Sequence, residues 1–234
     1  MSQSALKDLK ALANAKKAAF FPKFFKAGKG EYAEGDVFLG ISVPDVRSIA
    51  KKYSDLSLSE IRQLLADKYH EARLLALIIL TMQYAKGDEA QKKKIVDFYL
   101  TQFSRVNNWD LVDTSASQIL GSYLLTRPRT MLLKFAKSTH LWTQRIAIIS
   151  THAFIRAHQF DDTLKISEMF LTHKHDLIHK ASGWMLREVG KRDIGVLRTF
   201  LDRHAAVMPR TMLRYAIEKM TLSERLKYMN ARNS

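Results

Sequence analysis

Each of the chain's three tryptophans precedes a charged residue by one helical turn. The pairs are Trp109 with Asp113, Trp142 with Arg145, and Trp184 with Arg187. Two residues that are three or four positions apart on a helix share a face, so each pair would present an aromatic surface beside a charge. Indole faces attract cations, and a carboxylate stabilises a nearby positive charge. This combination suits a site that handles a cationic base or a sugar cation.

The segment around Trp109 mixes residues that have an ordinary structural explanation with residues that do not. Asn108 is a good helix N-cap, and Asp110 suits the positive N-terminal end of a helix. Asp113 lies among apolar residues such as Leu111, where a carboxylate is costly unless it has a partner. Two interpretations stay open: Asp113 takes part in chemistry, or it pairs with a lysine or arginine of the next repeat beside a buried tryptophan.

The other two pairs have structural explanations as well. A tryptophan in a repeat interface and an arginine on the solvent side are ordinary features, which would account for Trp142 with Arg145 and for Trp184 with Arg187. Lys180 lies four residues before Trp184 and adds a group that binds phosphate on the same face. Taken singly, each pair is more often structural, but three pairs at repeat spacing favour one shared surface.

Charged and aromatic residues also recur at a nearly fixed interval. The steps are 36, 36, 35 and 34 residues, and the positions are Arg73, Trp109, Arg145, Lys180 and Arg214. Apolar residues recur at intervals of three and four almost throughout, whereas alternating, strand-like runs are scarce. Two helices per unit at this period are typical of HEAT, armadillo or tetratricopeptide arrays. Since the tetratricopeptide pattern is absent, we predict an all-α fold, a HEAT-like helical-repeat superhelix (α-solenoid).

Prolines and glycines divide the chain into helix pairs. Pro44, Pro128 and Pro209 stand where helices are expected to begin, and Gly190 is expected just past a helix C-terminus. The predicted pairs are 57–66 with 70–84, 88–103 with 109–125, 129–136 with 142–156, 161–171 with 176–189, and 193–204 with 210–220. We predict a single repeat domain over 1–234. Residues 1–40 would form an N-terminal helical hairpin and a glycine-rich loop (27–40), and residues 41–234 would form the tandem pairs.

The charge balance indicates a polyanionic partner. Lysine and arginine total 38 against 23 aspartates and glutamates, which gives a formal net charge of +15. If the second helix of each pair lines the concave side, the recurrent basic residues form a positive groove that matches a DNA duplex in sign and extended shape. A generally basic, soluble surface is the plainer alternative, because charge alone does not identify a partner.

Several classes of site and location are excluded or disfavoured. The chain has no cysteine, which excludes disulfides, thiolate metal sites and cysteine nucleophiles. No apolar run reaches the length of a membrane span, and the N-terminal segment lacks the apolar core of a signal peptide. The histidines at 173, 175 and 179 lack the glutamate of a zinc-protease motif. We expect a monomeric, cytoplasmic protein that associates with the nucleoid when it binds DNA, without a metal ion or another cofactor.

Three segments together carry a family resemblance. They are NNWDLVDTSA, HLWTQRIAII and HKASGWMLREVGKR, and EGDVFLGISVPDVR and MLRYAIEKM are similar as well. In these segments the sequence resembles the AlkD-type DNA alkylation repair family, the HEAT-like-repeat DNA glycosylases. The resemblance covers most of the chain. It implies excision of positively charged N3- and N7-alkylated purines from duplex DNA by hydrolysis of the N-glycosidic bond, without base flipping.

The resemblance also implies roles for individual residues. Trp109 and Trp184 would pack against the deoxyribose of the lesion, Asp113 would be the catalytic carboxylate, and Arg145 would support DNA binding at the site. The other candidates for DNA contacts are Arg73, Trp142, Lys180, Arg187 and Arg214. Two alternatives to a glycosylase stay open: a non-catalytic relative that binds bent or branched DNA, and a scaffold for an acidic protein partner.

Overall fold

Helices form nearly all of the regular structure in the computed structural model, which describes residues 1–231. Over that range, strand-like pairing is confined to an isolated parallel bridge between Val37 and Tyr69. The all-α prediction is therefore confirmed. The chain divides into two compact units, residues 1–119 and 120–234. No helix in the described residues is both long enough and apolar enough to cross a bilayer.

The first unit is built on seven α-helices in its described residues. They are α1 (Ser2–Ala11), α2 (Ala15–Phe25), α3 (Val43–Lys52), α4 (Leu58–Leu65), α5 (His70–Lys86), α6 (Glu89–Leu100) and α7 (Trp109–Ser115). A single 3-10 turn, Phe103–Arg105, precedes α7. The segment 26–42 between α2 and α3 contains no helix and includes the glycine-rich stretch that the sequence predicted as a loop.

Local signals explain where these helices begin. Ser57 and Glu60 form a reciprocal capping box at the start of α4, which satisfies backbone N–H groups that have no partner within the helix. Asp88 and Gln91 do the same for α6. Pro44 occupies the first turn of α3, where its missing N–H costs nothing. The predicted helix starts in this unit agree with the structure to within one residue because caps and prolines act locally.

Helix α5 is the central element of the first unit. Every side chain from residue 72 to residue 80 is buried, and α5 packs against α3, α4 and α7. A helix that is apolar on all sides is stable only when neighbouring helices surround it. Helix α5 therefore provides the fixed base on which α7, with Trp109 and Asp113, is positioned.

The second unit contains nine α-helices in its described residues. They are α8 (Ser122–Leu124), α9 (Thr130–Ala136), α10 (Leu141–Ser150), α11 (His152–Arg156), α12 (Asp161–Met169), α13 (Asp176–Arg192), α14 (Ile194–His204), α15 (Arg210–Ala216) and α16 (Leu222–Asn230). A π-helical turn, Ser117–Gly121, interrupts the predicted helix over 109–125. The predicted helix over 142–156 is divided at Thr151 into α10 and α11, and the predicted helix over 210–220 ends at Ala216. The other predicted helices of this unit are present with small shifts at their ends.

One sequence prediction in this unit is wrong. Gly190 lies inside α13, which continues to Arg192, and not beyond a helix end. Its role is close packing, because a Cβ atom at this position would overlap the side chain of Leu197 in α14. The helix stops at Asp193, whose side chain accepts a hydrogen bond from the backbone N–H of Val196 at 3.1 Å and thereby caps α14.

Helix α13 holds the second unit together in the way that α5 holds the first. It packs against α10, α14 and α15, and its Leu186 joins a buried apolar cluster with Phe200 and Leu213. At Gly183 the backbone of α13 approaches α15 so closely that a Cβ atom would overlap the backbone oxygen of Met212 and the Cβ of Tyr215.

We predict that Gly183→Ala destabilises the protein, because overpacking a tight helix contact costs about 1–3 kcal/mol. Alanine's better helix propensity recovers at most about 1 kcal/mol of this loss. The control is Gly195→Ala in α14, where the added Cβ would meet only the Asp193 side chain at 3.2 Å. Urea unfolding midpoints measure both effects. A Gly183→Ala midpoint at or above that of Gly195→Ala would contradict the packing argument.

Candidate functional site

Trp109 begins α7 and is held from two directions. The Asn108 side chain accepts a hydrogen bond from the Trp109 backbone N–H at 2.8 Å, which confirms Asn108 as the N-cap. The indole stacks on the Phe25 ring at 5.6 Å between centroids and 21° between planes, and it meets the Phe24 ring edge to face at 5.9 Å. Trp109 is nevertheless only partly buried. Its position is therefore set by α2 and its own cap, while part of its surface remains accessible.

Asp113 lies one turn further along α7 and is also partly buried. At this offset its carboxylate shares the helix face of Trp109. The hydroxyl of the fully buried Tyr99 lies 2.9 Å from Ser115 Oγ. Burial raises the pKa of Tyr99 well above its usual range, and the negative charge of Asp113 raises it further. Because Asp113 is partly buried and its charge acts on the buried Tyr99, its carboxylate lies at the border between the unit's interior and solvent.

A buried ionic network lies beneath α7. The His70 ring meets Asp110 Oδ2 through Nε2 at 2.7 Å and Asp36 Oδ2 through Nδ1 at 3.2 Å. Arg73 donates from Nη2 to Asp36 Oδ1 at 2.6 Å, and Asn108 donates to Asp36 Oδ2 at 3.4 Å. These contacts join three separate segments: the 26–42 loop, the start of α5 and the start of α7. The network thereby fixes the helix that carries Trp109.

The charges in this network stabilise one another. Although burial lowers the pKa of His70, the Asp110 and Asp36 carboxylates outweigh it and raise that pKa to about 9. Burial raises the pKa of Asp36, but its hydrogen bond with His70 and the Arg73 charge bring it below its ordinary value. At neutral pH the imidazole is therefore protonated and donates from both ring nitrogens.

The 26–42 loop is also held by Glu71 in the first turn of α5. Its carboxylate accepts hydrogen bonds from three consecutive backbone N–H groups: Leu39 at 2.9 Å, Gly40 at 2.8 Å and Ile41 at 3.2 Å. Glu71 is itself buried, and hydrogen bonds to the ionised form compensate the cost of burying a carboxylate. The loop thus has a defined path beside α5.

Arg73 is placed differently from what the repeat spacing indicated. The sequence predicted a DNA-binding residue, but its side chain is 7% exposed and ion-paired with Asp36. A group that contacts phosphate must reach solvent, so this burial weighs against a direct contact. We interpret Arg73 as part of the network that holds the 26–42 loop.

In the second unit, Trp184 lies on α13 beside a carboxylate that the sequence analysis missed. Its indole Nε1–H donates to Glu188 Oε1 at 3.2 Å, and Lys191 Nζ meets the same oxygen at 2.6 Å. The His152 ring lies 6.0 Å from the Trp184 ring. Burial lowers the pKa of His152, and the Arg156 charge lowers it further. Trp184 with Glu188 has the same spacing of four residues as Trp109 with Asp113, which is a signal that the sequence contained.

Arg187 points toward acidic side chains of its own unit. Its Nη1 pairs with Glu218 Oε2, and its Nε lies 3.8 Å from Glu188 Oε1. Trp142 and Arg145 are buried, with 5% exposure each, and Arg145 Nη1 donates to the backbone oxygen of Leu177 at 2.6 Å. That bond joins α10 to α13. The DNA-binding roles of these three residues stay predictions, and their placement favours a structural contribution.

Lys180 and Arg214 are more accessible. Lys180 Nζ pairs with Asp176 Oδ2 at 2.7 Å across one turn of α13. Both side chains are about half exposed, and ion pairs in solvent contribute little. Arg214 on α15 is exposed and takes part in no ion pair within residues 1–231. Of the predicted basic contacts in this unit, these two are the ones placed where a phosphate could reach them.

The histidines near α13 are occupied by hydrogen bonds. His173 Nε2 meets Gln144 Oε1 at 3.0 Å, and His179 Nε2 meets the backbone oxygen of His173. Within the described residues, no group of three or more histidine, cysteine, aspartate or glutamate side chains is arranged to hold a metal ion. These contacts attach the start of α13 to the turn before it.

Comparison with known proteins agrees with this arrangement of helices. A family model described as DNA alkylation repair enzyme matches residues 5–220. A solved structure, a "predicted DNA alkylation repair enzyme from Enterococcus faecalis", is 18% identical with a TM-score of 0.71, and the match covers 90% of this chain and 97% of that chain. At this identity the likeness shows the fold alone. No curated protein matches the chain.

The helix pairs define an all-α protein of the helical-repeat class, as the sequence predicted. The chain belongs to the DNA alkylation repair enzyme family, since the family model spans nearly its whole length. The family resemblance of the segments around Trp109, Trp142 and Trp184 is thereby confirmed. The role of the protein lies in DNA repair.

We predict that stability declines as pH rises through 9 because of His70. Its folded pKa of about 9 exceeds the ordinary 6.5, so its contribution is complete below pH 6.5 and is lost as pH rises through 9. The expected loss is about 3 kcal/mol. Free energies of unfolding between pH 6 and 10 measure it. His70→Gln should be less stable and should lack this dependence, whereas His140→Gln should keep it; equal pH profiles for all three proteins would refute the argument.

Proposed function

We propose that the protein is a DNA glycosylase that hydrolyses the N-glycosidic bond of cationic N3- and N7-alkylated purines in duplex DNA. The observation that carries the proposal is the arrangement on α7. An indole with an accessible surface and a partly buried carboxylate share one helix face, on a helix that a buried ionic network holds in place. Membership in the DNA alkylation repair enzyme family supports an enzyme that acts on alkylated DNA.

The chemistry requires little beyond these groups. An alkylated purine already carries a positive charge, so when the bond from C1′ to the base nitrogen breaks, both bonding electrons leave with a neutral base. No general acid is needed. The sugar becomes an oxocarbenium-like cation, which the Asp113 carboxylate stabilises and which the indole face of Trp109 attracts. A water molecule then attacks C1′ and loses its proton, for which Asp113 is the acceptor.

This mechanism does not depend on recognising the base. Enzymes that flip a base need a pocket that reads its edge, whereas stabilising the sugar cation requires only access to the backbone beside the lesion. We therefore propose that the lesion is excised without base flipping. We also propose that Trp184, in the second unit, contacts DNA. Its hydrogen bond to the buried Glu188 fixes the orientation of its ring.

A non-catalytic DNA-binding protein is the alternative. It would explain the net charge of +15 but would have no use for a carboxylate on the face of Trp109, because phosphates repel it. A scaffold for an acidic protein partner would show weak DNA binding that changes little with salt. Base release and salt dependence therefore separate the three functions.

We predict that Asp113→Asn retains DNA affinity but releases N7-methylguanine or N3-methyladenine about 10²- to 10³-fold more slowly, as expected for loss of a preorganised electrostatic group. Release of the free base from duplex DNA under single-turnover conditions measures the rate. The control is Asp97→Asn, which removes an exposed carboxylate paired with Lys93 in the same unit. Unchanged release by Asp113→Asn would remove Asp113 from the mechanism, and no release by the wild-type protein would favour the non-catalytic alternative.

We predict that Arg214→Ala weakens duplex binding and lowers the slope of log affinity against log salt by about 1, the contribution of one phosphate contact. Fluorescence anisotropy titrations at salt concentrations from about 50 to 200 mM measure the slope. Lys227→Ala is the control, because it removes one exposed cation from α16 in the same unit. Equal slopes for wild type and Arg214→Ala would place Arg214 outside the DNA interface.

A further inference from the structure

Helix α2 exposes two phenylalanines that the fold does not use for its core. Phe20 is 57% exposed and Phe24 is 52% exposed, and their rings stack at 6.3 Å between centroids and 29° between planes. The offset of four residues places both rings on one side of the helix. Single exposed apolar residues are ordinary, whereas contiguous exposed apolar surface marks an interaction site.

The same side of α2 is basic. Lys16 and Lys17 precede Phe20 by four and three residues, and Lys23 follows Phe20 by three. All three lysines are exposed, and none of them forms an ion pair within the part of the chain that the structure describes. The surface of α2 that comprises these five residues, here called the α2 face, therefore combines stacked rings with uncompensated positive charge.

The α2 face is continuous with the proposed active site. The ring of Phe24 meets that of Trp109 at 5.9 Å and that of Phe25 at 4.9 Å, both edge to face. Phe20, Phe24 and Trp109 thus form an unbroken series of aromatic rings that starts in solvent and ends at the face shared with Asp113. All of these residues lie within the first unit.

We propose that the α2 face binds an unpaired nucleobase of the DNA duplex, which stacks on Phe20 and Phe24 while the lysines contact the adjoining phosphates. The proposal rests on the proposed function, because it takes duplex DNA as the substrate. Every base has a π-face, and phenylalanine has no group that hydrogen-bonds a base edge, so the contact would not depend on sequence. The base opposite the lesion loses its partner when the alkylated purine leaves, and stacking on the α2 face would then hold that base beside Trp109.

A second copy of the chain fits the α2 face less well than DNA does. Two such faces would bring six uncompensated lysines together, and like charges at close range repel. A purely apolar partner would leave those ammonium groups desolvated and unpaired. A polyanion with flat apolar rings satisfies both the charges and the phenylalanines, and DNA with an unstacked base has that combination.

The test compares binding to two unmodified duplexes, one fully paired and one with a single unpaired adenine. Wild-type protein should bind the second duplex more tightly, and Phe20→Ala/Phe24→Ala should lose this preference by roughly fivefold or more, the lower end for one stacked base. The matched control is Leu222→Ala/Leu226→Ala, an exposed pair with the same spacing of four residues on α16. It should bind both duplexes as the wild type does.

A further variant separates stacking from simple hydrophobic contact. Phe20→Trp/Phe24→Trp should keep the preference for the unpaired base, whereas Phe20→Leu/Phe24→Leu should lose it despite a similar apolar area. Equal preference in the wild-type, alanine and leucine proteins would overturn the proposal. Loss of self-association in the alanine variant, measured by sedimentation, would also overturn it, because a second copy would then cover the α2 face.

The outcome is independent of base release because neither duplex carries an alkylated base. If the wild-type protein prefers the unpaired base but releases no methylated purine, the α2 face stands and the glycosylase proposal fails. If methylated purine is released while the alanine variant keeps the full preference, the glycosylase proposal stands and the α2 face does not bind the base.

Discussion

The buried contact of His70 with Asp36 and Asp110 is the interaction on which the first unit depends. The imidazole at the start of α5 lies 3.2 Å from the Asp36 carboxylate of the 26–42 loop and 2.7 Å from the Asp110 carboxylate at the start of α7. Removing one partner from a buried ionic network leaves the other charges uncompensated, which costs more than the network contributes relative to apolar packing. The arrangement is therefore stable only as a whole, and the position of Trp109 follows from it.

The two units combine tryptophan with a carboxylate in different ways. Asp113 shares a helix face with Trp109 and remains partly exposed, whereas Glu188 is buried and bonded to the Trp184 indole and to Lys191. Glu188 fixes the Trp184 ring through its hydrogen bond to the indole, so we propose a positioning role for it. The chemical role proposed for Asp113 rests on the helix face that it shares with the accessible indole of Trp109. Equal spacing from a tryptophan therefore does not imply an equal role.

The excess of basic residues also divides into two kinds. Arg73 and Arg145 lie in the interior, where one pairs with a carboxylate and the other donates to a backbone oxygen. Arg214 and the lysines of α2 lie at the surface. The guanidinium group forms directed hydrogen bonds that tolerate burial, so an arginine at a repeat position serves a helix contact as readily as a phosphate. Net charge indicates a polyanionic partner, but it does not identify the residues that reach it.

The sequence by itself determined the helical class, most helix starts and the placement of Trp109 and Asp113 on one helix face. These features follow from helix period and capping, which act over a few residues. Only the tertiary structure decided which distant groups meet. His70 binds carboxylates 34 and 40 residues away, and Phe25 stacks on Trp109 from 84 residues away. Spacing along the chain carries no information about such contacts, since they depend on how helices pack. The burial of Arg73, the path of the 26–42 loop and the exposed rings of α2 were decided in the same way.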